Sequence, residues 1–129
     1  RTAARFAEPG GNVDWERFLA EVLLPLRRGE KVFYRRFDCA SMQLQNAVET
    51  APKKLVVAEG AYSMHPDLAP YYDLSVFLDI SPELQRDRIS RRNTSEKAKR
   101  FFAEWIPMEQ AYFAAFDIPA KCTLRLPIL

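Results

Sequence analysis

The stretch of residues 55–66 limits the possible folds of this chain more than any other part of the sequence. Residues 55–58 form the apolar run Leu-Val-Val-Ala, which shows no polar alternation and stops at Glu59-Gly60. Such runs are typical of strands that are buried on both faces of a parallel sheet. Ligands bind beyond the carboxyl ends of these strands, so Glu59, Tyr62 and His65 are candidates for chemistry. A turn residue without chemistry is the alternative for Glu59.

The composition indicates a globular domain, or part of one. Hydrophobic residues make up 48% and aromatic residues 12% of the 129 positions, which is enough for a core and too apolar for a disordered chain. A net charge of +2 does not favour nucleic acid as a partner. Cys39 and Cys122 form no CxxC pair and predict free thiols in the cytoplasm. The sequence shows no signal peptide and no apolar run of membrane-spanning length.

Alternating helix and strand signals predict an α/β fold with a mainly parallel sheet. Apolar residues at helical spacing and capping residues place the helices, and short apolar or β-prone runs place the strands. Pro107 lacks an amide donor, so it should kink or divide the last helix near residue 106. The predicted helices cover residues 14–28, 81–92 and 95–116, and the predicted strands cover residues 31–38, 55–58, 74–79 and 123–128.

Carboxylate and arginine side chains are the first candidates for chemistry. Glu59, at the end of its predicted strand, can hold Mg²⁺ beside the phosphates of a nucleotide, directly or through water. Arg88, Arg91 and Arg92 leave at least two guanidinium groups near one helical face, where their forked donors match phosphate oxygens. A solvated basic face is the alternative. An RNA-binding surface is a weaker alternative, because the aromatic residues nearby fall at core spacing.

The remaining candidates lie near predicted strand ends. His65 is the only histidine, so it cannot build a multi-histidine metal site and is either structural or a hydrogen-bond partner of a substrate. Phe37 and Asp38 close the predicted strand 31–38. There an aromatic ring can stack on a base and an acid can bind a sugar hydroxyl, although an ordinary strand end fits the same residues.

Together these residues resemble the uridine kinase and phosphoribulokinase family of P-loop kinases, and within it the bacterial uridine-kinase-like members. The resemblance covers nearly the whole chain, and the order and spacing of its pieces carry it. These pieces are Pro9-Gly10-Gly11-Asn12-Val13-Asp14-Trp15-Glu16-Arg17-Phe18, Gly29-Glu30-Lys31-Val32, Phe37-Asp38, Glu59-Gly60-Ala61-Tyr62-Ser63-Met64-His65-Pro66, Tyr72-Asp73-Leu74, Val76-Phe77-Leu78-Asp79, residues 88–93, and Trp105-Ile106-Pro107-Met108-Glu109 with Tyr112-Phe113.

The resemblance implies a three-layer P-loop NTPase-like fold that transfers the γ-phosphoryl group of ATP to a hydroxyl of a nucleoside or a related sugar-containing substrate. Residues 1–129 would then form one partial kinase domain, the substrate-binding and lid portion. ATP and Mg²⁺ are the implied cofactors, and no nucleic acid or membrane partner is implied. The residues carried over are Glu59 for catalysis and Mg²⁺; Phe37, Asp38, Tyr62, His65 and Asp14 for the substrate; and Arg88 and Arg92 for phosphates.

The sequence departs from the family in its phosphate-binding loop. No Gly-x-x-x-x-Gly-Lys-Ser/Thr motif occurs, and only four glycines are present. The resemblance therefore implies an N-terminally incomplete fold, whose first strand, phosphate loop and catalytic aspartate precede this chain. Without that loop the β- and γ-phosphates have no backbone cradle, so we expect no ATP turnover by residues 1–129 alone. Phe37 also stands where the family has Tyr, which leaves the phosphoryl acceptor open.

A second hypothesis comes from a different functional class. In this hypothesis the chain is a non-catalytic module of the same fold, which binds a nucleotide or nucleoside or regulates a partner and has no phosphate loop. The sequence leaves the oligomeric state open, although a sheet edge left unpaired by missing strands would favour association into homo-oligomers.

Overall fold

Capping residues and proline positions set the helices of this computed structural model, which describes residues 2–129. In chain order the elements are helix α1 (Ala3–Ala7), helix α2 (Trp15–Phe18, Leu19–Leu23 and Leu24–Arg27), strand β1 (Val32–Asp38), strand β2 (Gln43–Thr50), a 3-10 turn (Ala69–Tyr71), strand β3 (Val76–Ile80), helix α3 (Pro82–Arg92), helix α4 (Ser95–Arg100, Phe101–Trp105 and Ile106–Phe116), helix α5 (Ile118–Lys121) and strand β4 (Leu124–Ile128).

The three long helices begin where side-chain oxygens satisfy their first backbone amides. At α2, Asp14 accepts a hydrogen bond from the Arg17 amide at 3.3 Å. At α3, Ser81 accepts one from the Leu84 amide at 3.2 Å, and Thr94 caps α4 in the same way. Such caps stabilise a helix start by about 1 kcal/mol. The predicted helices over residues 14–28, 81–92 and 95–116 are confirmed within a few residues at their ends.

Helices α2 and α4 each contain one widened π turn close before a proline. The turn Leu19–Leu23 precedes Pro25, and the turn Phe101–Trp105 precedes Pro107. A proline has no amide hydrogen and its ring clashes with the carbonyl four residues earlier. The widened turn relieves that clash while the helix continues. The predicted irregularity of the last helix near residue 106 is present as this π turn, and α-helical geometry resumes at Ile106 without a break in the helix.

The strands form two separate pairs, so the predicted three-layer P-loop fold with a mainly parallel sheet is wrong. Strands β1 and β2 form an antiparallel hairpin, with Val32 opposite Thr50 and a bulge between Arg35 and Phe37. Strands β3 and β4 are parallel, with Val76 opposite Leu124. Within residues 2–129 no third strand joins either pair, so the extended parallel sheet that such a fold requires is not built.

The predicted buried strand at residues 55–58 is also wrong. This segment has no regular secondary structure, and the side chains of Leu55 and Val57 are 78% and 79% exposed. An apolar run becomes a buried strand only when a neighbouring strand pairs with its backbone and a helix covers its side chains. Within the described chain no strand pairs with this run, so apolar character alone does not define its structure.

Strand β3 forms where the sequence predicts a strand, but it is less buried than predicted. Phe77 faces inward and meets Phe113 of α4 edge-on, with ring centroids 5.2 Å apart. On the opposite face Val76 and Leu78 lie beside Leu124 and Leu126 in the parallel register, and all four side chains are exposed. Because side chains alternate between the two faces, only one face of this pair packs on the helices.

The hairpin β1–β2 is attached to α2 through backbone and charged groups. Glu21 accepts a hydrogen bond from the Arg35 amide at 2.9 Å, and the Arg17 guanidinium donates to the Arg35 carbonyl at 2.6 Å. The Arg35 amide is the main reason why the pKa of Glu21 lies below its ordinary value. Val32, which is 1% exposed, anchors the beginning of the hairpin in the core. Strand β2 arises from residues 39–53, where the sequence pattern is weak.

The core is small and lies between the helices. Its buried hydrophobic side chains are Leu23, Val32, Leu68, Ile89, Ala98, Tyr112 and Ile118. Tyr112 is 0% exposed and meets the rings of Tyr62 and Phe116 at centroid distances of 4.9 and 5.6 Å. No helix within residues 2–129 combines the length and the apolar character that crossing a membrane requires.

The Pro9-Gly10-Gly11 turn fits closely between α1 and α4. Gly10 has a φ of +78°, and a Cβ on it would lie 3.1 Å from the Tyr112 ring. A Cβ on Gly11 would lie 2.1 Å from the carbonyl oxygen of Arg5, which is backbone and cannot rotate away. Glycine is therefore required at position 11 for steric reasons.

We expect Gly11→Ala to lower the free energy of unfolding by about 2 kcal/mol, within the range of substitutions that force a backbone clash. Gly60→Ala is the matched control, because a Cβ there meets no atom within 4 Å, and its effect should stay within about 0.5 kcal/mol. Urea unfolding of the two variants and the parent measures the difference. Equal stability of the two variants would show that this turn does not fit as described.

Candidate functional site

A cavity of about 610 Å³ lies between helices α3 and α4. Loop residues 12–13 and the turn at residues 61–62 complete its wall. Its polar lining consists of Asn12, Tyr62, Gln85, Arg88, Arg92 and Glu109, its aromatic lining of Phe101 and Trp105, and its apolar lining of Val13, Ala61, Ile80, Ile89 and Ile106. The cavity is open to solvent, since Arg88 and Arg92 in its lining are exposed, and it combines apolar side chains with a few converging polar groups that can contact a small molecule.

The cavity lies at the carboxyl end of the parallel strand pair. Ile80, the last residue of β3, lines it. The other strand, β4, ends one residue before Leu129, whose carbonyl oxygen accepts a hydrogen bond from Arg88 at 3.3 Å. The cavity therefore lies where ligands are expected at parallel sheets, although this sheet has two strands within residues 2–129.

Two arginines of α3 line the cavity. Arg88 and Arg92 are four residues apart and therefore share one face of the helix. The Arg92 guanidinium lies 5.7 Å from the centroid of the Phe101 ring. Arg91, between them, points elsewhere and pairs with Asp87 at 2.9 Å. Both cavity arginines, Arg88 and Arg92, have exposed side chains. In residues 2–129, no carboxylate side chain forms a salt bridge with either of them, and Arg88 donates to the Leu129 carbonyl oxygen.

The π turn of α4 places two aromatic rings beside these arginines. Phe101 and Trp105 meet edge-on, with ring centroids 4.4 Å apart and an interplanar angle of 89°. The Arg100 guanidinium lies 5.2 Å from the Trp105 centroid and adds a third cation near these rings. Single π turns inside α-helices frequently occur at functional sites. The proline that causes this one thus also shapes the cavity wall.

A carboxylate and a phenol form the polar end of the cavity. Glu109 accepts a hydrogen bond from the Gln85 amide nitrogen at 3.4 Å. Burial raises the pKa of Glu109 above its ordinary value, and the bond from Gln85 partly opposes this. Burial also raises the pKa of Tyr62; Asn12 opposes that shift and the negative charge of Glu109 adds to it. Tyr62 is therefore a neutral hydroxyl at physiological pH.

Three of the residues predicted from the sequence meet at this cavity. Tyr62, Arg88 and Arg92 line it, although they are up to 30 residues apart in the chain. Asp14, Phe37, Asp38, Glu59 and His65 do not line it. The predicted phosphate-binding arginines and one predicted substrate residue are thus brought together, and the other five lie elsewhere.

Glu59 lies outside the cavity, on an exposed segment without regular structure. Mg²⁺ needs several oxygen ligands in near-octahedral geometry. Within residues 2–129, no group of three or more His, Cys, Asp or Glu side chains could hold a metal ion. The sequence also lacks the glycine-rich lysine loop that cradles a triphosphate. Residues 2–129 therefore offer no side-chain cage for a metal ion; binding of Mg²⁺ by one carboxylate together with substrate phosphates stays a prediction.

His65 is a core residue. Its ring stacks on Trp15 with centroids 4.6 Å apart at an angle of 13° and meets Phe116 edge-on at 5.6 Å. Its Nδ1 accepts a hydrogen bond from the Asp67 amide at 3.3 Å. Burial lowers the pKa of His65, although the Asp67 and Glu16 carboxylates oppose that shift. These contacts match the structural alternative from the sequence rather than the substrate partner.

Asp14, Phe37 and Asp38 have local roles. Asp14 caps α2 and also pairs with the Arg17 guanidinium at 3.1 Å. Asp38 accepts bonds from the Ala40 amide at 3.0 Å and the Ser41 hydroxyl at 2.7 Å, which shape the hairpin turn, and the Ser41 hydroxyl is the main reason why its pKa is lowered. Phe37 is 43% exposed at the end of β1.

Sequence reasoning missed Gln85, Phe101, Trp105 and Glu109 as cavity residues. Helical spacing predicts a core face for the two aromatic residues, and spacing alone does not separate a core face from a cavity wall. A usable signal exists for Glu109: it lies within the apolar stripe of α4, between Trp105 and Tyr112, where a carboxylate has to be buried or face a cavity. Gln85 precedes Arg88 by three residues and Ile89 by four, which places it on the same face.

Comparisons with known proteins identify no family for this chain. No protein-family model matches the sequence, and no curated protein matches it significantly. The resemblance to uridine kinases therefore stays a prediction that depends on the residues themselves.

The stability of the chain should depend on the protonation of His65. Its folded pKa is lowered, so the unfolded chain binds this proton more readily than the folded chain. The contribution from neutral His65 is fully present above its ordinary pKa of 6.5 and is lost as the pH falls below that value. We expect His65→Phe, which keeps the stack on Trp15, to make the free energy of unfolding less dependent on pH between about 7.5 and 5.5. Equal slopes for parent and variant would contradict a buried neutral histidine.

Proposed function

We propose that the chain binds a nucleoside or nucleotide in the cavity between α3 and α4, as the acceptor-binding and lid portion of a uridine-kinase-like phosphotransferase. The observation that carries this proposal is the meeting of Tyr62, Arg88 and Arg92 at one cavity, beside two aromatic rings. The resemblance to uridine kinases implies substrate and phosphate binding for the same three residues. Their meeting is not required by any local pattern, because Tyr62 and the two arginines lie on different elements.

The groups that line the cavity match the parts of a nucleotide. Arg88 and Arg92 offer forked, charged donors for phosphate oxygens. The Phe101 and Trp105 rings offer apolar faces and edges, against which a planar base can pack. Tyr62 offers a hydroxyl that stays neutral. The cavity thus combines a cationic side, an aromatic side and a polar end. A purely apolar ligand would leave the cationic and polar groups without partners.

The transfer reaction in this proposal comes from the resemblance. ATP would be the phosphoryl donor, Mg²⁺ its metal, and the hydroxyl of a nucleoside or a related sugar-containing molecule the acceptor, in the cytoplasm. This chain would supply the binding of the acceptor and of the transferred phosphate through Arg88 and Arg92. No step through Mg²⁺ or the triphosphate is assigned to the residues of this chain.

A non-catalytic binding module is the second candidate, and one observation favours it. Glu59 lies on an exposed segment and does not line the cavity. Both functions require the same cavity to bind a nucleoside or nucleotide. They differ in the fate of the bound ligand: phosphorylation of uridine by a polypeptide that contains this chain supports the kinase, and binding without transfer supports the module.

Isothermal titration with uridine and uridine monophosphate tests the shared part of the proposal. We expect the monophosphate to bind more tightly than uridine, because the arginines contact its phosphate. Arg88→Ala and Arg92→Ala should each weaken monophosphate binding by about tenfold, the loss of one charge-assisted hydrogen bond, and should leave uridine binding nearly unchanged. Arg91→Ala is the matched control, because Arg91 lies on the same helix and pairs with Asp87 outside the cavity.

The proposal is contradicted by two results. One is the absence of binding of both probes to the folded parent chain. The other is an equal loss of monophosphate binding in Arg91→Ala and in the two cavity variants, which would indicate a general effect of positive charge on α3 rather than contact in the cavity.

A further inference from the structure

Glu109 is a half-buried carboxylate whose position none of the predicted roles explains. It lies on α4, four residues after Trp105, so the two side chains lie on the same face of the helix. It also lines the cavity together with Gln85, Arg88 and Arg92 of α3. A carboxylate is costly to bury unless hydrogen-bond donors reach both of its oxygens.

Only one of those oxygens has a donor in the described part of the chain. Gln85 donates to Oε1 of Glu109 at 3.4 Å, a long bond that also joins α3 to α4. Oε2 of Glu109 receives no side-chain donor there. Arg88 and Arg92, which could neutralise it, form no salt bridge with it. Among residues 2–129, Oε2 is not one of the buried side-chain atoms without a partner, so it is accessible and can accept hydrogen bonds from the hydroxyl groups of a ligand.

The order of the polar residues along α3 indicates how a nucleotide would be oriented in the cavity. Gln85, Arg88 and Arg92 follow one another on one helical face, and from the first to the last the helix rises about 10 Å. The carboxylate lies at the Gln85 end, because Gln85 binds it. A nucleotide with its phosphate on Arg92 and its base against Trp105 therefore brings its sugar close to Glu109.

We propose that Glu109 is the specificity-determining residue of this cavity: its carboxylate accepts hydrogen bonds from neighbouring hydroxyl groups of a sugar, and Gln85 positions it. This inference depends on the proposed nucleoside or nucleotide binding. Glu109 selects ligands that carry two neighbouring hydroxyls over ligands that lack one of them, because the ligand with a single hydroxyl donates one hydrogen bond fewer to the carboxylate. Such sites discriminate strongly against a missing hydroxyl.

The ionisation of Glu109 gives the inference a second readout. Burial raises the pKa of this carboxyl, and the titratable groups that line the same cavity are Tyr62, Arg88 and Arg92. The arginines stay charged and Tyr62 stays neutral across the acidic range, so Glu109 is the cavity group that titrates there. Uridine binding should strengthen as the pH rises through the raised pKa of Glu109, because the ionised carboxylate is the better acceptor.

Calorimetric titration of the 129-residue chain with uridine, 2′-deoxyuridine and uridine monophosphate tests the inference. We expect the parent to prefer uridine over 2′-deoxyuridine by about tenfold, and Glu109→Gln to abolish that preference by weakening uridine binding. The variant should also lose the pH dependence of uridine binding. Glu96→Gln is the matched control, because Glu96 lies on the same helix, is exposed and does not line the cavity.

A second variant covers the case in which Glu109→Gln does not fold. Gln85→Leu keeps the carboxylate and removes its positioning donor, so it should reduce the preference for uridine and shift the pH dependence of uridine binding to higher pH. The inference is overturned if Glu109→Gln keeps the parent's preference and pH profile, or if Gln85→Leu changes neither.

The outcomes separate this inference from the proposed function. If the parent binds uridine monophosphate through Arg88 and Arg92 but Glu109→Gln behaves as the parent does, the proposed function stands and the role of Glu109 is rejected. If the folded parent binds none of the three probes, the proposed function fails and the inference fails with it.

Discussion

The buried ring of Tyr112 organises the packing of this molecule. The ring is fully buried, with Tyr62 on one side and Phe116 on another, and Gly10 lies so close that a Cβ there would come within 3.1 Å of it. Its hydroxyl has no hydrogen-bond partner among residues 2–129, which costs about 1–3 kcal/mol. The packing of the ring must therefore outweigh that cost. Because the turns at residues 9–13 and 60–66 both pack on this ring, Tyr112 fixes two walls of the cavity relative to α4.

A proline shapes the aromatic wall of the cavity. Pro107 cannot donate a hydrogen bond to the preceding turn, and α4 widens over Phe101–Trp105 just before it. Phe101 and Trp105 begin and end this widened turn and line the cavity, and the Arg92 guanidinium of α3 lies 5.7 Å from the Phe101 ring centroid. A local restriction of backbone chemistry thus produces an aromatic wall beside cationic groups. Cation–ring contacts of this kind are worth about 0.5–1 kcal/mol at exposed sites, so their main effect here is orientation.

The sequence predicts the local structure well and the assembly of the sheet poorly. Helix starts are predictable because capping is local: Ser81 and Asp14 bind amides three residues away. The structure of residues 55–58 is not, because an apolar run requires pairing partners that local pattern cannot supply. For the site, Arg88 and Arg92 are predictable from their spacing. The place of Glu109 in the cavity wall is not predictable in this way, because Glu109 meets Gln85 of another helix, 24 residues away in the sequence.

Binding of a nucleotide in the cavity between α3 and α4 can be observed residue by residue through chemical-shift mapping. In ¹⁵N-labelled chain titrated with uridine monophosphate, we expect saturable shifts at the Trp105 indole and at the amides of Asn12, Tyr62 and Arg88. The hairpin at residues 32–50 should remain unchanged. Shifts concentrated on that hairpin or around Glu59, with the cavity residues unmoved, would contradict nucleotide binding in this cavity.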